Sequence, residues 1–175
     1  MISPPLNPSN PLPGFTFAVS FGATEQPACA IAAGGITETV AGFQEVTGLE
    51  SSIEIHDYKE GGLNDHTRKF ATNVNFGNIT FKRGVALVPD LWTWFLSVRQ
   101  GSFGARRAIT ITHLDASGQA ALIWYVSRAL PAKYMGPAWN SSQSSTAIES
   151  LEVAHEGLTL IPAGAFGAGG VPPRT

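Results

Sequence analysis

Phe43-Gln44-Glu45-Val46-Thr47-Gly48-Leu49 leads into the alternating run Ser52-Ile53-Glu54-Ile55-His56 and then into Tyr58-Lys59-Glu60-Gly61-Gly62. Side chains alternate across a strand with period two, so residues 50–58 read as a strand with Ile53 and Ile55 inward. Residues 59–67 are polar and contain glycines, which suits a loop. A partner stretch near the other end runs Ala147-Ile148-Glu149-Ser150-Leu151-Glu152-Val153-Ala154-His155-Glu156-Gly157-Leu158. It reads as the last strand, over residues 147–161, with a bulge at Gly157.

The rest of the chain fits around these two stretches. Residues 15–21 alternate, with Phe15, Phe17, Val19 and Phe21 on one side and Thr16, Ala18 and Ser20 on the other. That is the pattern of a half-buried strand. Residues 22–42 are rich in small residues and read as a long loop insertion. Residues 68–75 and 78–83 form one long strand or two, interrupted at Gly77, with Ile79 and Phe81 facing the core. Residues 107–114 and 121–129 are strands joined by the turn Asp115-Ala116-Ser117-Gly118.

One helix stands out, over residues 90–99. Pro89 and Asp90 suit a helix start, with the acid complementing the dipole, and Gly101 suits the end. Leu91, Trp94, Phe95 and Val98 follow the helical period and are expected to cover the subunit's own core. Trp92 and Trp94 lie about 200° apart on a helix, which leaves Trp92 as a candidate inter-subunit contact. About six or seven antiparallel strands with one helix make a mostly β chain, a small antiparallel β-sandwich or barrel.

The 175 residues suit one domain with a core of its own. Expected boundaries are an extended proline-rich N-terminal arm at 1–14, the barrel domain at 15–161 including the 22–42 insertion, and a flexible Gly/Pro-rich tail at 162–175. Charged residues make up only 14% of the chain, against about a quarter in ordinary soluble domains. So little charge suits a subunit that hides surface in other copies of itself. The net charge is −2 and the basic residues are scattered, which disfavours nucleic-acid binding by a basic face. No apolar run approaches the roughly 20 residues needed to span a bilayer, so membrane insertion is not expected. The start carries no secretory pattern. The single cysteine, Cys29, cannot form an intrachain disulfide and fits synthesis in the cytoplasm.

Residues with chemical potential are isolated from one another. His56, His66, His113 and His155 lack paired ligand spacing. Cys29 has no nucleophile signature. Ser141, Ser142, Ser144 and Ser145 sit in no G-x-S-x-G elbow, and Gly61-Gly62 precedes neither a Walker lysine nor a helix. No catalytic, metal or cofactor site is expected.

The order of the motifs resembles the tube-forming proteins of contractile tails, which include phage tail tube proteins and the inner-tube proteins of phage-like contractile injection systems. The resemblance spans about residues 15–160. Phe43 to Leu49 and Tyr58-Lys59-Glu60-Gly61-Gly62-Leu63-Asn64 carry it first. Asn78-Ile79-Thr80-Phe81-Lys82-Arg83-Gly84, followed by Leu91-Trp92-Thr93-Trp94, is similar to the family's strand and tryptophan helix. Ala129-Leu130-Pro131-Ala132-Lys133-Tyr134, then Gly136-Pro137 and Ile148-Glu149-Ser150-Leu151-Glu152, complete the series. The insertion at 22–42 and both termini depart from it.

The resemblance implies a non-enzymatic structural subunit that forms hexameric rings stacked into a hollow tube. It implies partners as well: other copies of the chain, a contractile sheath, a baseplate hub, tube-terminating proteins, and luminal protein cargo or DNA. The particle would be assembled in a bacterium and released by lysis, whether as a phage tail or as an injection device. Tyr58, Lys59, Glu60, Gly61, Gly62, Asn64 and His66 are the expected inter-ring contacts. Two other readings stay open. One is a secreted type VI-like hexameric ring protein. The other is a ligand-binding β-sandwich, for which Trp124, Tyr125 and Trp139 are the candidate aromatics.

Overall fold

The computed structural model describes residues 17–22, 40–61, 65–87, 89–102, 105–115, 118–139 and 147–162. The longest element, β8 (Ala120–Met135), organises the rest. Its first part pairs with β7 (Arg107–Leu114) on one edge and β10 (Gly157–Pro162) on the other. Its last part pairs with β9 (Ile148–Ala154). β1 (Phe17–Phe21) and β2 (Val40–Ala41) extend the sheet beyond β7. β6 (Ile79–Gly84) and β3 (Glu45–Thr47) extend it beyond β9. The order is β2-β1-β7-β8-β9-β6-β3, antiparallel throughout.

The core lies where side chains from the two halves of this sheet meet. Val19, Ile109, Ile111 and Val126 come from one half, and Ile79, Phe81, Leu151 and Val153 from the other. Each is an inward position of a period-two pattern, and burying such a side chain contributes roughly 1.5–3 kcal/mol. Phe21, Phe43 and Phe81 meet in a ring cluster with centroids 5.5–5.7 Å apart.

Helix α1 (Asp90–Arg99) follows β6 and buries Leu91 and Trp94 against this core. The Trp94 indole donates a 2.6 Å hydrogen bond to the Ala105 carbonyl, which satisfies its one polar atom. Phe95 packs against the core half-buried.

The structure adds strands that the sequence patterns merge or omit. β8 continues past Ala129 through Pro131, because the proline falls beside a register shift where a missing N–H is tolerated. Arg128 adopts a left-handed backbone (φ 52°), at the place where β8 leaves β7 and takes up β9. The final run is broken at 155–156, so its two parts are β9 and β10 along the same edge of β8. His155 therefore lies between strands and not on one. Most of the 22–42 insertion lies outside the described residues, as do the Pro-rich start, Cys29 and the Gly/Pro-rich tail beyond Pro162, which closes β10, while Val40–Ala41 is a short strand.

Candidate assembly surface

β3 runs into β4 (Ser51–Tyr58), and β5 (Arg68–Phe76) runs into β6. The pair β3/β6 belongs to the main sheet, whereas β4 and β5 pair only with each other. The result is a hairpin that leaves the domain body at a joint between Gly48 and Asn78. Gly48 has φ +88°, and a β-carbon there would collide with the Asn78 carbonyl. Gly77 lies directly against the Glu50 side chain and donates its N–H to the Glu50 carbonyl at 3.3 Å. The Phe76 ring rests 5.3 Å from His155, and Asn78 donates to Glu152 at 2.7 Å. These contacts hold the root of the hairpin on the body.

Beyond the joint nothing among the described residues covers it. Every residue of β4 is exposed, and so is every residue of β5 except half-buried Phe76. The expectation that Ile53 and Ile55 point into the core is therefore wrong: they are 56% and 51% exposed. The alternation is real, but no layer packs against it among the described residues. Cross-strand register places Ile53 opposite Val74 and Ile55 opposite Ala71, giving one apolar face. The other face carries Ser52 opposite Asn75, His56 opposite Phe70, and Glu54, whose carboxylate accepts a hydrogen bond from Asn73 at 3.3 Å.

The described ones among the expected inter-ring residues sit at the outer end of this hairpin. Tyr58 is exposed and stacks edge-on with Phe70, centroids 6.0 Å apart. Glu60 pairs with Arg68 at 2.6 Å, and Asp57 with Lys69 at 3.0 Å. Lys59 and Gly61 are exposed, and exposed His66 lies 3.0 Å from Asp65. Gly62 and Asn64 lie outside the described residues. Trp92 is not brought to this end. It is 37% exposed on α1 and leans on Tyr134 and Phe95, with ring centroids 5.2 and 5.7 Å away.

The sequence profile of the T4-like virus tail tube protein gp19 family matches residues 13–159. The chain belongs to this family. Among solved structures, this tail tube protein is similar to a chain of the PVC sheath-tube complex of an extracellular contractile injection system in the extended state. Identity is 22% and the TM-score 0.73, covering 89% of this chain and 94% of that one. It is also similar to a chain in the anti-feeding prophage tube-terminating cap, with 19% identity, a TM-score of 0.73 and coverage of 90% and 95%. A more distant likeness in fold is Hcp1 from Flavobacterium johnsoniae, at 10% identity and a TM-score of 0.50, covering 83% and 94%. No curated protein sequence is similar enough to be matched.

Within the tail tube subunit, α1 is fixed by a charged group that sequence reading passes over. Arg83 and Glu149 are both buried, and Arg83 Nε donates to Glu149 at 2.7 Å. The same guanidinium pairs with Asp90 at the helix start. Tyr134 donates its hydroxyl to the other Glu149 oxygen at 2.7 Å. Burial pushes the Asp90 carboxyl up, but the Arg83 hydrogen bond and charge outweigh it and hold the carboxyl below its ordinary range. Burial, and then the Glu149 contact, push the Tyr134 phenol up to about 12. Since Tyr134 also supports Trp92, the network sets the pose of that exposed ring. The signal was present in the alternation. Arg83 shares a strand face with Ile79 and Phe81, and Glu149 shares one with Leu151 and Val153.

The histidines stay apart from any shared site. His56 is exposed on the hairpin, His113 is half-buried on β7, and the Nδ1 of His155 faces the Gly157 carbonyl at 3.1 Å. Among the described residues no group of three or more His, Cys, Asp or Glu side chains is placed to hold a metal ion. Among them, too, no helix is long and apolar enough to cross a membrane. Trp124 packs half-buried on the core, whereas Trp139 is 80% exposed, so the aromatics considered for a ligand site do not converge in one pocket wall.

Proposed function

We propose that this tail tube protein is the inner-tube subunit of a contractile tail or injection machine. It polymerises as stacked hexameric rings around a hollow conduit and carries out no catalysis. The observation that carries the reading is the β4/β5 hairpin. A two-stranded hairpin exposed on both faces is marginal by itself in water, yet this one is long, paired on both sides of one register shift between Ile53 and Ile55, and apolar on one face. It makes physical sense when other copies cover it. The outer edges of β3, β10 and β2 add strand edges that a closed ring would pair, turning a liability into a bond. Sheath, baseplate hub and tube-terminating proteins are the partners this assigns, and protein or DNA is the luminal cargo. Synthesis in the bacterial cytoplasm and assembly into the particle follow from the same role.

The test is a mass measurement of purified protein in chelator. Hexameric rings or longer polymers are expected, and a monomer at every concentration would overturn the reading. Replacing residues 59–66 by a short Gly-Ser linker should leave rings but abolish stacking. Trp92→Ala should weaken ring formation while the subunit still folds.

A further inference from the structure

Trp92, Phe95 and Tyr134 bring three rings together where α1 meets the end of β8. Centroids lie 5.2 Å apart for Trp92 and Tyr134, 5.7 Å for Trp92 and Phe95, and 6.3 Å for Phe95 and Tyr134. Trp92 is exposed and the other two rings are half-buried. The platform is stiff, because the Tyr134 hydroxyl is tied to Glu149 and Glu149 to Arg83. A rigid aromatic surface left open to solvent suits docking, since little freedom is lost on binding. The sequence supplies a matching segment. Residues 1–16 carry no charged side chain, and Pro5, Pro8 and Pro11 recur at every third residue. A polyproline II helix has three residues per turn and rises about 3.1 Å per residue, so these prolines stand on one edge of it about 9 Å apart. Ile2 falls in line with them. Such an edge docks on aromatic surfaces at low entropic cost.

We infer that residues 2–11 dock as a polyproline II helix on the Trp92, Phe95 and Tyr134 rings of their own subunit, and cover Trp92 until a neighbouring copy displaces them. The covering role rests on the tube reading given above; the docking does not. Reach favours the same subunit. β1 begins at Phe17, and at its far end the Phe21 ring lies 5.6 Å from Trp94 of α1. The strand from Phe17 to Phe21 covers about 14 Å, and crossing the helix from Trp94 to Trp92 adds about 10 Å. The path from Phe17 to the platform is then about 30 Å. The nine residues back to Pro8 span about 28 Å as polyproline, and three more reach Pro5. The charge-free arm brings no ion to be desolvated on the rings. The arm and an incoming copy then compete for the same indole, which makes the arm a brake on ring formation.

The experiment traps the arm in the full-length chain. Cys29→Ser removes the natural thiol, and Arg99→Cys places one beside the platform. Arg99 is exposed and stands seven residues after Trp92, about 20° from it around the helix. Asn7→Cys or Asn10→Cys supplies the second thiol and leaves every proline in place. A disulfide needs the two α-carbons within about 7 Å, so it reports close approach. Under oxidised glutathione, dispersed protein should form a bond within one chain from at least one arm position, as read by mass spectrometry. Alanine at Pro5, Pro8 and Pro11 together, or Trp92→Ala, should abolish it. Oxidised protein should stay dispersed in mass photometry, and reduction should restore rings. No bond within the chain, a bond that survives the alanine arm, or bonds only between copies would overturn the docking. Rings formed equally well by oxidised protein would overturn the covering of Trp92. Wild-type protein that never forms rings would instead overturn the tube reading, while the trapped bond would still report the docked arm.

Discussion

Ile79 and Ile53 stand on two strand pairs of one continuous hairpin, yet the first is fully buried and the second is 56% exposed. Phe81 and Phe70 make the same contrast, at 0% and 51%. Their local patterns are alike, with an apolar residue at every second position. What separates them is the joint at Gly48 and Gly77. On one side the strand pair packs on β9, α1 and the opposing half of the sheet. On the other side no described element packs above or below it. Period two thus reports that a strand face will be covered. It does not report whether the cover is in the same copy.

The contrast can be broken first at the body. Trp94→Ala removes a fully buried ring and its hydrogen bond, and should destabilise the dispersed subunit by about 3–5 kcal/mol. Val74→Ala on the hairpin should stay within about 0.5 kcal/mol in the same thermal or denaturant melt. Phe95→Ala should fall between them, because its ring is only half-buried. Equal losses at Trp94 and Val74 would remove the distinction between body and hairpin.

A slightly smaller effect, about 3 kcal/mol, is expected from Arg83→Met, which leaves Glu149 buried without its cation. Since the hairpin lies far along the strands from this network, melting should shift while the tip contacts keep their chemistry. The length of the ring stacks at a temperature well below the new melting point checks this. A loss of assembly with no loss of subunit stability would show that the network acts on the interface directly.

Gly48→Ala tests the joint itself. Its left-handed backbone should cost an L-residue about 1–2 kcal/mol, and the clash with Asn78 should re-aim the hairpin. Stacking is expected to suffer more than melting does. Normal tubes from this variant would mean that the hairpin's direction is not set at its root.

The smallest effect is the pH dependence of the helix anchor. Asp90 is held below its ordinary value when folded, so its contribution is present above the unfolded value of about 4 and is lost as pH falls through the folded one. The difference in melting temperature between wild type and Asp90→Asn should therefore shrink below about pH 4. A difference that stays constant to lower pH would remove Arg83 as the cause.

Much of the body was legible in the sequence. Phe17, Val19 and Phe21, Ile109 and Ile111, and the helix at 90–99 all follow simple periods, and each faces the core as its period says. Two kinds of feature were not legible. The split roles of β8 depend on Arg128 and Pro131, residues whose local preferences argue against a continuous strand. The outward position of Ile53 and Ile55 depends on what lies across from them, which no local pattern contains. The end of β4 at Tyr58 was legible, because the glycines and polar residues that follow it suit a turn whatever the strands beside it face.

The central claim is that the hairpin is completed by another copy, and amide hydrogen exchange tests it most directly. The chain should be compared when dispersed below its assembly concentration and again after polymerisation. Residues 51–58 and 68–76 are predicted to exchange quickly in the dispersed chain, while β6 and β9 are already protected, and to become as slow as the body in the polymer. A hairpin as protected as β6 in the dispersed chain, or one that still exchanges quickly in the polymer, would contradict the account.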